Sequence, residues 1–384
     1  MSEKTVGIIG DGQLGRMMVQ SVEGEGYTFN VLGTKGPESP AAQAGAHQFY
    51  GASLYDRDAI MRLANDSDVI TWEVEHIGVE PLVELEDQGY PVYPSPRSLG
   101  IIQDKLAQKT YFGRFGLPVA PFVGLDTADN YGDALQTFGD VIVKARTGGY
   151  DGRGNLVVSP GMTWNDVTTA FTDGNTGKRP ELYAEQTLDY KKELAVILAR
   201  DVCGKTAVYP VVETRQVAGQ CDTVLAPAEI SPDMELAAQA FGRSGLSTFD
   251  GPGVFAFEMF LTRGERIFIN EVAPRVHNSG HFSILASETS QFRQHVLAIT
   301  GRALGSTAMK QETPAAAMVN ILGRRGGAFD ETKLKRFKSV AGLEVNWYGK
   351  TPRPHRKLGH VTASGATVKE AQDRARWIRE TIEV

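Results

Sequence analysis

An apolar run at residues 6–9 leads directly into Gly10, Gly12 and Gly15, and a segment with helical spacing follows. A strand that turns through G-x-G-x-x-G into a helix opens a parallel, doubly wound sheet, because a helix must cross back over the sheet before the next parallel strand can pair. Strands at residues 28–32 and Val69–Trp72, with helices at residues 14–22 and Arg57–Asn65, continue the alternation to about residue 95. That pattern predicts helices on both faces of the sheet. The stretch YPVYPSPRS, residues 90–98, carries three prolines and reads as a linker closing this unit.

The first glycine loop aims backbone N–H groups at an anion on a helix N-terminus, which recognises phosphate rather than NAD as such. A nicotinamide site also needs an acid about 20 residues on, for the ribose hydroxyls. Gly33, Thr34 and Lys35 stand there instead. Three readings stay open at this point: a dinucleotide, a turn that binds nothing, and the favoured one, a phosphate monoester. Asp11 lies inside the loop, and it must point away or weaken any bound anion.

After the prolines, QDKLAQKTYFGRFGLPVAPF starts as a helix that GLPVAP stops. From residue 141 strands dominate: VIVKA, LYAEQ, ELAVILAR, TAVYPVV and TVLAPAE, with helices at Trp164–Phe171 and residues 233–241. This reads as an antiparallel α+β region. The tail from about residue 315 mixes short strands with a closing helix, Val368–Ile382.

A second glycine loop, VIVKARTGGYDGRGN, follows a strand that delivers Lys144. Glycine-rich backbone can close over a polyphosphate, and a lysine adds a point charge; the alternative is a plain surface hairpin. In VFAFEMFLTRGERIFINEVA, a two-residue turn at Gly264 and Glu265 would place Glu258 opposite Glu271 on one face. Facing side chains in such a pair lie ~4.5–5.5 Å apart. Two carboxylates that close on an apolar ribbon repel, and a divalent cation between them removes the repulsion; oxygen ligands beside a polyphosphate favour Mg²⁺. The alternative is a salt-bridged glutamate in a register one residue off. Downstream, PRVHNSGHF and PRPHRKLGHV gather further cationic and imidazole groups, each a substrate-site candidate set against a structural histidine or a solvated loop.

Composition narrows the partners. A net charge of −6 over 384 residues gives no general basic field for nucleic acid or an anionic membrane. No apolar run approaches the ~20 residues that span a bilayer, and the N-terminus lacks the pattern of a signal peptide. Cys203 and Cys221 alone make no disulfide framework and fit a reducing, cytoplasmic setting.

In order, GQLGRMM, TWEVEHI, QDKLAQK, VIVKARTGGYDGRGN, EQTLDYKKELAVILAR, NEVAPRVHNSGH and RPHRKLGHV resemble the ATP-grasp enzymes. In detail they resemble the N5-carboxyaminoimidazole ribonucleotide synthetase family, over residues 6–361. The resemblance implies an α/β and α+β chain with an ATP-grasp fold. A Rossmann-like (pre-ATP-grasp) parallel-sheet domain would occupy residues 1–96, the ATP-grasp region 97–300 with a lid subdomain at about 118–187, and a small C-terminal domain 301–384. It implies ATP- and bicarbonate-dependent carboxylation of 5-aminoimidazole ribonucleotide through carboxyphosphate, with ATP and Mg²⁺ as cofactors and a cytoplasmic homodimer as the working form.

Residue by residue, the resemblance gives the ribonucleotide phosphate to Gly12, Gln13 and Leu14, with Glu75 as a further substrate contact. Lys105 and Lys144 match phosphate-binding lysines. Gly149, Tyr150, Asp151, Gly152, Arg153, Gly154 and Asn155 match a mobile lid. Glu185, Gln186, Thr187 and Leu188 match the adenine segment, and Glu193 the ribose contact. Glu258 and Glu271 match metal ligands, with Asn270 beside the nucleotide. Tyr150, Asp151, Arg153, Arg275, His277 and Lys357 fall where bicarbonate, carboxyphosphate and the amine react, Asp151 being the expected base. Asn278, Ser279, His281 and Arg356 complete the substrate side. The sequence departs from the family in having Asp11 for glycine, Gln216 for a nucleotide-contacting histidine, and no acid after the second strand. The alternatives are another ATP-grasp carboxylase or ligase of nucleotide metabolism, a nicotinamide dehydrogenase, and an inactive nucleotide sensor.

Overall fold

Residues 6–9 and all of Val69–Trp72 are buried, the signature of strands covered on both faces. In the computed structural model, which describes residues 3–149, 154–174, 176–327, 329–337 and 339–382, they belong to a parallel sheet. Its strands are β1 (Lys4–Ile9), β2 (Tyr27–Gly33), β3 (Gln48–Gly51) and β4 (Val69–Trp72), ordered β3-β2-β1-β4. Helices α1 (Gln13–Ser21) and α2 (Pro40–Gln43) share a core with Val6 and Ile8 on one face. On the other, α3 (Arg57–Asn65) and α4 (Val79–Asp87) pack on Ile9, Leu32 and Trp72. The sequence reading lacked β3, α2 and α4. β3 is a short edge strand with exposed ends, so it carries no apolar run to read.

The proline stretch is packed rather than free. Val92 bridges Ile70 in parallel and is buried, extending the sheet past β4. Ser95 then caps α5 (Pro96–Gln103), with proline at its first position. Helix α6 (Lys105–Arg114) follows at once, capped by Asp104 through the N–H groups of Leu106 and Ala107.

Two antiparallel sheets make up the rest. The smaller has the order β5-β8-β6-β7: β5 (Phe122–Leu125), β6 (Val141–Ala145), β7 (Asn155–Val157) and β8 (Leu182–Gln186). Helices α7 (Ala128–Phe138) and α8 (Trp164–Phe171) close its core through Tyr131 and Val167. The larger, nine-stranded sheet contains β9 (Tyr190–Arg200), β10 (Thr206–Val208), β11 (Val212–Val217), β12 (Gln220–Ala226), β13 (Gly253–Thr262), β14 (Ile267–Ala273), β15 (Ala315–Leu322), β16 (Leu343–Trp347) and β17 (Lys357–Gly365). Its order is β14-β13-β9-β11-β12-β15-β17-β16, with β10 on β9. TAVYPVV supplies two strands rather than one, since Pro210 has no N–H for a ladder.

Helix α9 (Pro232–Ser247) covers one face of the large sheet, while α10 (Ser283–Ala286) and α11 (Gln291–Ile299) lie against the other, beside α1. α12 (Val368–Ile382) packs on β15 and β17. One continuous core joins Val6, Ile8 and Met18 of the first unit to Ile197, Val254, Met318 and Tyr348 of the large sheet. The parallel sheet is thereby fixed against the C-terminal strands.

Candidate active site

The paired glutamates owe their meeting to two irregularities that cancel. The hairpin turn is three residues long, not two: Thr262 accepts from Glu265 N–H and donates to the Arg266 carbonyl, and Glu265 takes a left-handed φ of 55°. The tip of the ribbon therefore runs one residue out of the expected register, with Leu261 opposite Ile267 and Met259 opposite Ile269. A β-bulge at Asn270 absorbs the difference, and Glu258 faces Glu271. Ile269 and Val272 stay in the core, so Asn270 and Glu271 both fall on the opposite face, with Glu258. Regular alternation would have sent one of the two inward.

That face is charged and enclosed. Lys105 Nζ lies 2.7 Å from Glu271 Oε2. Its charge is the main reason the Glu271 carboxyl is held low, whereas burial and then the Glu271 charge push Glu258 up. Two carboxylates that oppose each other's ionisation in this way are stabilised by a cation between them. Among the described residues no cluster of three or more His, Cys, Asp or Glu forms a metal cage. Two carboxylates with open positions suit a hard cation that keeps water and substrate phosphates as its other ligands. The residues fit Mg²⁺.

Beside the pair, Lys144 on β6 donates to Glu185 Oε2 at 3.0 Å and approaches Asn270 Oδ1 at 3.5 Å. Lys109, one turn after Lys105 on α6, reaches Glu185 Oε1 at 3.0 Å and the Ile269 carbonyl at 3.3 Å. Burial opposes ionisation of Glu185, but the two lysines outweigh it and keep its carboxyl below the usual range. The sequence reading placed Glu185 with the adenine segment; its side chain pairs with the two lysines. It also passed over Lys109, although a spacing of four from Lys105 puts both on one helix face.

The cleft between the small and large sheets is thus lined by Lys144 and Glu185 from one and by Glu258, Asn270 and Glu271 from the other. Glu193 lies farther along the large sheet, its carboxyl raised mainly by burial while it pairs with Tyr190 and Gln216. Gln216, at the position where the sequence reading expected the family's histidine, therefore reaches Glu193, the residue expected to contact the ribose. Gln186 spends its side-chain N–H on the Phe138 carbonyl, and Thr187 its backbone N–H on Asp140, while the Leu188 carbonyl accepts from Tyr190 N–H. Gly149, Gly154 and Asn155 lie on the connection from β6 into β7, with Asn155 paired to Lys144. Tyr150, Asp151, Gly152 and Arg153 lie outside the described residues.

At the first glycine loop the anion seat already holds a carboxylate. Glu73 leaves the end of β4 beside Ile9 and accepts from the N–H groups of Gly12 and of Gly15, the latter at 2.7 Å. Burial nonetheless raises its pKa. The loop amides thus face Glu73 rather than an open phosphate seat. Asp11 points away: its carboxylate takes the N–H of Lys35 at 2.7 Å and the Lys35 ammonium at 2.8 Å. A side chain at Gly33 would collide with Asp11. Asp11 and the missing acid after β2 are therefore one exchange, with the carboxylate approaching from the loop instead of the strand.

Gln13 receives a hydrogen bond from Lys350, which faces Glu73 and whose pKa burial brings down to about 8. Leu14 is in the core and can offer only backbone. Glu75 is paired with Arg275 at 2.7 Å, which joins the parallel sheet to the end of β14. His277 Nδ1 accepts from Ser279 N–H at 3.3 Å, so its proton sits on Nε2, which faces Glu258 at 3.4 Å. Burial, then Arg275, depresses its pKa to about 3, so the ring stays neutral. Asn278 is half-buried, and its side chain lies against the Cys221 thiol. Lys357 lies close enough to act on Glu258 and Cys221, and Arg356 donates to the Thr351 carbonyl. His281 is fully buried against Phe292 and His360, which makes it a packing residue behind the site.

Comparison with known proteins covers the same span. Residues 3–103 match the ribonucleotide synthetase preATP-grasp domain, 110–292 the ATP-grasp domain, and 316–374 the phosphoribosylaminoimidazole carboxylase C-terminal domain. The N5-carboxyaminoimidazole ribonucleotide synthase of Synechococcus elongatus is 36% identical, covering 98% of this chain and 94% of that protein. The phosphoribosylaminoimidazole carboxylase of Ogataea methanolica is also 36% identical over 99% of this chain, but the match spans 70% of the fungal protein. The N5-carboxyaminoimidazole ribonucleotide synthetase structure from Thermotoga maritima superposes with a TM-score of 0.85 at 36% identity, covering 99% of each chain. The Aspergillus clavatus synthase in complex with ADP and 5-aminoimidazole ribonucleotide gives 0.86 at 32% identity, again over 99% of each.

Proposed function

Since the chain belongs to the N5-carboxyaminoimidazole ribonucleotide synthetase family of ATP-grasp enzymes, we infer its chemistry from the residues around the Glu258–Glu271 pair. It is an ATP-dependent carbon–nitrogen ligase of purine biosynthesis. It carboxylates the amine of 5-aminoimidazole ribonucleotide at the expense of ATP, with bicarbonate as the proposed carbon source. The observation that carries this reading is the bulge that turns Glu258, Asn270 and Glu271 to one face, opposite Lys144. Mg²⁺ held by the two glutamates supplies positive charge to the ATP phosphates.

The chain's own residues do the rest. Lys105 and Lys144 bind phosphate oxygens and stabilise charge that builds as bicarbonate oxygen bonds to the γ-phosphorus and ADP departs. The resulting carboxyphosphate is lost if water enters, and excluding water is the role we assign to the glycine-rich lid. Neutral His277, with its proton on Nε2, donates toward the reaction face without adding charge. Arg275 is oriented by Glu75. Asp151 is the proposed base for the amine. On the substrate side, Gln13, its partner Lys350 and Arg356 are the proposed phosphate contacts, and Glu73 holds the first glycine loop through the Gly12 and Gly15 amides.

Domain limits at about residues 96 and 300, and a lid at about 118–187, are part of the same proposal. A cytosolic setting accords with the two free cysteines; no helix among the described residues is long and apolar enough to cross a membrane. The test is ADP release with each substrate omitted in turn. Release should need both bicarbonate and 5-aminoimidazole ribonucleotide. Turnover that ignores bicarbonate, or that another amine supports equally well, sinks the assignment in favour of a different ATP-grasp ligase.

A further inference from the structure

A completely buried lysine that contacts no proposed ligand needs an explanation, because an ammonium removed from water costs several kcal/mol unless it is paired. Lys109 is 2% exposed. Its ammonium touches Glu185 Oε1 at 3.0 Å and the Ile269 carbonyl at 3.3 Å. Glu185, itself buried, offers its other oxygen to Lys144 at 3.0 Å. One carboxylate thus serves two ammonium groups, and the trio carries a net positive charge. The four groups come from three places: Lys109 from α6, Glu185 and Lys144 from neighbouring strands of the small sheet, and the Ile269 carbonyl from the large sheet.

We propose that Lys109 is a positioning residue for the nucleotide. It divides the charge of Glu185 so that Lys144 remains available to ATP phosphates, and it pins the small sheet to the large one at the cleft. The argument is one of charge sharing. With Lys109 present, each lysine meets half of a carboxylate. Without it, the whole Glu185 charge falls on Lys144, and a bound phosphate must compete with a buried anion for the same ammonium. Lys105 plays a different part, since it pairs with Glu271 of the carboxylate pair directly. The proposal rests on the assignment of Lys144 to ATP.

The test uses the full chain and a double-mutant cycle. Lys109→Met should raise KM for ATP and Kd for Mg·ADP at least tenfold, while KM for the ribonucleotide stays within twofold. Adding Glu185→Gln removes the unshared anion and should recover at least threefold of the loss; Lys109→Arg should retain most of the affinity. Independent, additive effects of the two substitutions, or a Lys109→Met loss shared equally by both substrates, overturn the proposal. Should Lys109→Met fail to fold, the comparison moves to the Glu185→Gln background. There Lys109→Met must cost less than threefold in Mg·ADP affinity, and a larger loss overturns the proposal. Lys144→Met separates the two claims. If that variant binds Mg·ADP normally, the assignment of Lys144 to ATP has failed. If it loses binding while Lys109→Met does not, only the positioning role has failed.

Discussion

The two glycine-rich loops look alike in sequence and are glycine-rich for opposite physical reasons. At Gly12 there is no room, since a Cβ would fall on the Glu73 side chain; Gly10 is crowded by the same side chain and also takes a φ of 110°. At Gly148 there is nothing within van der Waals reach, but the backbone sits at φ 77°, where side chains are strained. The first loop is a close-packed cradle between two parallel strands. The second is open at Gly148. A G-x-G pattern alone cannot distinguish a residue that must be small from one that must be left-handed, so the first loop could be mistaken for a dinucleotide site.

The contrast predicts different failures. The largest should come from Gly12→Ala, which displaces Glu73. We expect about a 10²-fold loss in kcat/KM for the ribonucleotide with KM for ATP nearly unchanged, comparable to losing one preorganised hydrogen-bonding group. An equal loss for both substrates breaks the separation of the two loops.

Next in size is a pH effect at the cradle. Lys350 sits near pKa 8 through burial, so raising the pH through that value removes the positive charge facing the phosphate. KM for the ribonucleotide should climb up to about tenfold per unit above pH 8, and the climb should vanish in Lys350→Met. The sign for stability is opposite. An unfolded lysine keeps its proton to about pH 10.4, so the Lys350 contribution to folding improves between 8 and that value. A melting curve over the same range separates lost binding from unfolding.

Gly148→Ala should also cost less than Gly12→Ala. Left-handed backbone penalises a non-glycine residue by about 1–2 kcal/mol, which is up to roughly thirtyfold if all of it falls on lid closure. KM for the ribonucleotide should not move. The smallest effect belongs to Lys35→Met. Its ammonium is half-exposed, and exposed ion pairs contribute about 0–1 kcal/mol. Asp11 keeps the Lys35 backbone N–H, so KM for the ribonucleotide should change less than threefold. A larger change means that Asp11, released from its partner, turns back into the loop.

Residues 6–9 and Val69–Trp72 were legible because burial on two faces writes itself as apolar runs, and Arg57–Asn65 because Ala59, Ile60, Leu63 and Ala64 recur at helical spacing. The metal hairpin was legible as a pair of glutamates in an apolar ribbon. Its register was not, because the turn length and the bulge are set by packing of Met259, Ile269 and Val272, and each offsets the other by one residue. Glu73 was missed for a different reason. Its place is fixed by parallel pairing of Ile9 with Trp72, a long-range alignment that local sequence does not record. Lys109 was visible by helical spacing alone, but its value depends on Glu185 arriving from another sheet.

The bulge at Asn270 also acts as slack in a mechanical linkage. The outer ribbon, tethered by Lys191 to Glu265 and by Arg263 to Asp189, runs in one phase and the inner ribbon in another. A residue gained or lost at the tip can be taken up at that joint, leaving the two acids in step. The tip of this hairpin is therefore where the chain should best tolerate an inserted tag or a changed loop length.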